Sequence, residues 1–159
     1  QVTGDKAYIM SQLIDHTPIQ MFSTIYEDIS ALLSAYQELS DAEEYDFLLA
    51  TIKDDMCTQF HYDMNKLRLL CTYAGPGTLW LSNSNVNWPA FHDRMIQDEI
   101  VIDKDQVHQA KTGAIVILKG AYYNQGKTPP VVHRSPPIQH SNETRLLLRI
   151  DAKREAPIR

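Results

Sequence analysis

Between positions 17 and 40, apolar side chains return every three or four residues, at Phe22, Ile25, Ile29, Leu32, Tyr36 and Leu39. That period predicts one amphipathic helix with a single apolar stripe. Thr17 suits its N-cap and Pro18 its first turn. Glu27, Asp28, Gln37 and Glu38 fall away from the stripe, and the early acids suit the helix dipole. Ser40 and Asp41 mark its end. The stripe is read as a packing face against a sheet rather than as a groove for a partner.

After position 45 the pattern shortens. Apolar or alternating runs predict strands at 46–52, 66–73, 100–102, 106–109, 114–119, 131–133 and 144–150. Gly75-Pro76-Gly77 and Lys111-Thr112-Gly113 punctuate them as turns. Residues 82–98 read as a long polar loop with a helical turn near Phe91–Ile96. Trp80 and Trp88 flank that loop, as anchors or as the mouth of a substrate site, and the anchor is favoured. Many short strands behind one leading helix predict a mainly β chain, a sandwich or barrel with helix on its flank. The pattern carries no internal repeat and no linker, so 1–159 is read as one domain, with 17–40 the helical flank.

Composition narrows the class. The chain has 159 residues, 43% of them hydrophobic and 22% charged, as in a folded globular protein. The net charge of −5 disfavours a general nucleic-acid binder, which would be basic. No apolar run is long enough to span a bilayer. No signal-peptide pattern opens the sequence, although it starts at Gln1 rather than Met. Cys57 and Cys71 fit a reducing compartment, so a cytoplasmic protein is expected. They lack the spacing of a structural zinc site, and Cys71 is expected to be a buried small hydrophobe. Residues 27–63 carry ten acids against the single base Lys53, whereas 127–159 carry seven bases against three acids. Solvated faces that attract one another are the simplest account.

The candidate chemistry lies in His61-Tyr62-Asp63. On an extended segment, residues two apart point the same way, so one imidazole and one carboxylate can reach one ion. His133, closing an apolar β run, is the best third ligand, with His108 its first substitute. His16, His92 and His140 are expected in solvent or polar loops. Two histidines and a carboxylate with open positions suit a non-haem Fe(II) site, and the same donors can hold zinc. Alternation on the last strand puts Arg145, Leu147 and Arg149 on one face and Leu146, Leu148 and Ile150 on the other. If the apolar trio packs under the helix, Arg145 points inward, where a guanidinium can grip a carboxylate two-pronged. Arg68 and Arg134 are secondary basic candidates, with Arg134 expected at the rim.

The order of these features resembles the Fe(II)/2-oxoglutarate-dependent dioxygenase superfamily. Phe60-His61-Tyr62-Asp63, Leu67 to Tyr73, Gly75-Pro76-Gly77-Thr78, Val132-His133-Arg134-Ser135-Pro136-Pro137 and Thr144 to Leu148 more closely resemble a bacterial family known only as a domain of unknown function. This closer resemblance covers about 45–151. The superfamily resemblance implies a double-stranded β-helix (a jelly-roll, cupin-like core) over 45–151. It implies iron on His61, Asp63 and His133, and the 2-oxoglutarate carboxylate on Arg145, with Tyr73 donating its hydroxyl to the same carboxylate. The implied activity is that of an oxygenase, or hydroxylase, on a small molecule or peptide that the motifs do not specify. The alternatives are a non-enzymatic metal-binding module for zinc handling, a cupin-like metalloenzyme without 2-oxoglutarate, and an interaction domain with a vestigial site.

Overall fold

The fold is taken from a computed structural model that describes residues 1–16, 23–93 and 99–153. In chain order the elements are β1 (Val2–Gly4), α1 (Lys6–His16), α2 (Ser23–Ser40), β2 (Tyr45–Ile52), β3 (Leu67–Ala74), β4 (Leu79–Trp80), α3 (Trp88–Asp93), β5 (His108–Gln109), β6 (Ile115–Lys119), β7 (His133–Arg134) and β8 (Arg145–Ala152). The expected helix lies in α2 from Ser23 onward. Its predicted start at Thr17 and Pro18, and Phe22, fall outside the described residues.

All strand pairs are antiparallel. They form one sheet ordered β1-β2-β8-β3-β6 and a smaller one ordered β5-β4-β7. A bridge between His61 and His133 continues the smaller sheet past β7. The chain is thus β-rich with helices on its flank. The run 100–102 departs from the prediction. It contributes an isolated Val86–Val101 bridge and the buried Ile100, not a strand.

Alternation along β2, β3 and β8 divides the large sheet into two faces. Tyr45, Phe47, Leu67, Leu69, Cys71, Leu148 and Ile150 pack with Ile9 and Met10 of α1 and Ile29, Leu32, Leu33 and Tyr36 of α2. Full burial of one such aliphatic side chain contributes roughly 1.5–3 kcal/mol. The stripe of α2 ends one turn early, because Leu39 is exposed. Tyr36 ties the layers together: its hydroxyl donates to the Leu67 carbonyl at 2.7 Å and accepts from the Ala152 amide at 3.0 Å. Cys71 is buried as expected, and burial pushes its thiol up to about 11.

The opposite face is mixed. Ile52, Leu70, Leu118, Leu147 and Ile138 form a second apolar cluster. Arg68, Thr72, Arg145, Arg149 and Asp151 share that face by the same alternation. Under the loop after β4 lies a third cluster, of Phe60, Leu81, Val86, Ile100 and Val132. Asn85 pins that loop from within. It accepts from the Asp103 amide and donates to the carbonyls of Asp103 and Gln106.

Candidate metal centre

Backbone pairing brings the distant ligands together. The amide of His61 donates to the carbonyl of His133 at 3.0 Å, and the amide of His133 donates back to His61 at 2.8 Å. Their rings lie 4.5 Å apart. One donor atom from each of His61, Asp63 and His133 lies within 4.8 Å of the other two. These are the three residues singled out as candidate ligands from the sequence, and His108 is not in the group. His108 instead stacks on Trp80 with ring centroids 4.3 Å apart.

Each ligand is held by its far side. Nδ1 of His61 is 2.9 Å from the Gln59 carbonyl, and Nδ1 of His133 is 3.1 Å from the Val131 carbonyl. A carbonyl only accepts, so each Nδ1 is the donor, and Nε2 is the nitrogen with which a neutral ring could ligate. Burial lowers the His133 imidazole below its usual pKa, against the pull of Asp63, which favours the neutral ring that can ligate. Oδ1 of Asp63 accepts from Nη1 of Arg68 at 2.6 Å. Oδ2 is buried without a hydrogen bond, 3.5 Å from Nε2 of His133. A buried carboxylate oxygen without a donor is costly. A cation between Oδ2 and the two Nε2 atoms would satisfy it, so these residues fit a divalent metal.

Arg145 lies on the Arg68 face of the large sheet and is 1% exposed. Its Nη2 reaches only the hydroxyls of Thr72 at 3.3 Å and Thr78 at 3.4 Å, and its Nε has no partner. No carboxylate pairs with it among the described residues, and burial lowers its pKa. Alternation thus sets Arg145 on the face of Arg68 and Thr72, and it is buried there. Tyr73 is placed otherwise. Its hydroxyl donates to Asp28 of α2 at 2.5 Å and its ring packs with the helix-side cluster. Alternation along β3 sends Tyr73 to the face opposite Thr72, so it is not brought to Arg145.

Two features escaped the sequence reading. Arg68, a secondary basic candidate by sequence, grips Asp151 through Nε at 2.7 Å and Nη2 at 3.1 Å while holding Asp63. Its place between Leu67 and Leu69, on the face of Thr72, was the available signal. The second is a cleft of about 620 Å³ beside Tyr62, walled by Trp88, His92, Lys127 and Pro129. Trp88 serves as both anchor and wall: its indole donates to Asn83 at 3.1 Å. Arg134 lies over the Phe60 ring, 4.5 Å from its centre.

The fold and site define an antiparallel β protein with a His-Asp-His candidate metal centre. The chain matches, over residues 4–151, the family described as protein of unknown function DUF1826, and it belongs to that family. Neither the curated proteins nor the solved structures give a significant match. No helix among the described residues is long and apolar enough to cross a membrane.

Proposed function

We propose that this protein is an Fe(II)- and 2-oxoglutarate-dependent oxygenase built on a double-stranded β-helix. Strand order supports the scaffold. The path from β2 through the His61 segment, β3 and β4, then β5, β6, β7 and β8, moves between two sheets ordered β2-β8-β3-β6 and His61-β7-β4-β5. The ligands then lie in the smaller sheet and the segment after His61, and Arg145 in the larger.

One observation carries the chemistry: a buried guanidinium with no carboxylate partner among the described residues lies on the same face of the large sheet as Arg68, which holds Asp63, one of the three converging candidate ligands. Arg68, Arg145 and Arg149 face Asp63 and Asp151 there, and a divalent cation would add two further positive charges. A dianionic acid offsets that excess better than a neutral ligand. In this reading His61, Asp63 and His133 hold the iron. Arg145 grips the distal carboxylate of 2-oxoglutarate, aided by the Thr72 and Thr78 hydroxyls. Leu70, Leu118 and Leu147 keep water from that chain. The cleft beside Tyr62 admits the substrate. Bound iron supplies dioxygen activation coupled to oxidative decarboxylation of the keto acid.

The test is anaerobic titration of Fe(II)-loaded protein with 2-oxoglutarate, followed by a succinate assay in air. Binding and succinate formation are expected in the wild type, with binding lost in Arg145→Leu and metal uptake lost in His61→Ala. Loaded protein that neither binds 2-oxoglutarate nor forms succinate would overturn the reading. One tight zinc, indifferent to 2-oxoglutarate, would assign the site to metal handling.

A further inference from the structure

We propose that Arg68 and Asp151 are a positioning pair that holds Asp63 to the metal through one oxygen. The inference rests on the metal-centre reading and deepens it. Asp63 sits in a short segment between the His61 bridge and β3, where no regular strand pairing fixes its side chain. A carboxylate there could offer an ion one oxygen or both. Nη1 of Arg68 removes the choice by donating to Oδ1 at 2.6 Å, which leaves Oδ2 to face the histidines.

Arg68 can do this because its other two nitrogens are fixed. Nε and Nη2 fork onto the two oxygens of Asp151. Asp151 is itself held, by the Asn65 amide at 3.0 Å and beside Nε of Arg149 at 3.2 Å. Arg68 and Asp151 are also register partners across β3 and β8. The planar fork transmits the position of β8 to a metal ligand. Lysine has three donors on one nitrogen but no planar fork, so it cannot reproduce the two parallel bonds to Asp151 while holding Asp63.

The chemical consequence concerns coordination number. Three single-atom donors leave room for a two-atom chelate and a further small ligand. If Asp63 turned to bind through both oxygens, it would take one of those places. Arg68 therefore sets how many positions stay open as well as how tightly the ion is held.

The test uses Co(II) alone as the probe, in wild type, Arg68→Lys, Arg68→Gln and Asp151→Asn, with visible absorption and affinity as readouts and circular dichroism to verify folding. Loss of an outer-shell partner is expected to weaken Co(II) binding by about 10- to 100-fold and to change the shape of its absorption bands. Arg68→Lys is expected to fall with Arg68→Gln, not with the wild type. Folded Arg68 variants with wild-type affinity and spectrum would overturn the pair. So would failure of both Arg68 variants to fold while Asp63→Asn folds, since that assigns the pair to the scaffold alone. A wild type that takes up no Co(II) would instead tell against the metal centre itself.

Discussion

The two faces of the large sheet come from the same strands and do opposite work. On β3, Leu67, Leu69 and Cys71 join the helix-side core, while Arg68 and Thr72, one step away, serve the interior site. On β8, Leu148 and Ile150 are wholly buried against helices, while Arg145, Arg149 and Asp151 carry charge on the other side. One face supplies stability through apolar packing. The other tolerates a guanidinium without a counter-charge, which no packing argument favours. A strand's two-residue period is what lets one segment serve both ends.

The sharpest way to break that division is to cut the core face. Leu148→Ala should lower unfolding free energy by about 2–5 kcal/mol, because it leaves a cavity in a fully buried cluster. Denaturant melts would measure it, and metal affinity of the folded fraction should stay unchanged. Arg145→Met should act with the opposite sign. Removing a buried, uncompensated charge is expected to leave stability unchanged or raise it by about 1–4 kcal/mol while 2-oxoglutarate binding is lost. A clear loss of stability in that variant would show that Arg145 belongs to the scaffold.

Tyr36→Phe probes the seam between helix and sheet. The Leu67 carbonyl loses its donor and the Ala152 amide its acceptor, for an expected cost of about 1–3 kcal/mol in the same melts. The smallest effect belongs to Asp55, outside both faces. Hydrogen bonds from the amides of Gln139 and Ile138 hold its carboxyl below the usual range. Its folded pKa is therefore lower than its unfolded one. That stabilisation is present above the ordinary carboxylate pKa of about 4 and is lost as pH falls through the folded value. Melts across this window should be flatter in Asp55→Asn than in wild type.

How far the sequence could be read follows from these contrasts. β2, β3, β6 and β8 were legible because apolar runs or alternation marked them, and α2 because Ile29, Leu32 and Tyr36 keep a helical step. β1 and β4 are too short to carry a pattern, and they exist through pairing with β2, β5 and β7. α1 left a fainter trace in Asp5, whose carboxylate caps the Tyr8 amide at 2.8 Å ahead of Ile9 and Met10. The grouping of His61, Asp63 and His133 was legible because spacing and strand context pointed to it. Tyr73, which the resemblance assigns to the carboxylate, follows alternation instead and lies on the face of Cys71. Arg68 and Asp151 stayed hidden because their meeting depends on the register between β3 and β8, which single-chain patterning does not encode.

Gly120 carries one last consequence. A methyl group there would collide with the side chain and carbonyl of Asn65 and with the carbonyl of Asp63. The amides of Gly120, Ala121 and Tyr122 meanwhile close onto the carbonyls of Lys66, Asp63 and Asn65. In a saturation-mutagenesis screen, this hydrogen-only position, remote in the chain from every ligand, should prove as intolerant as the ligands themselves.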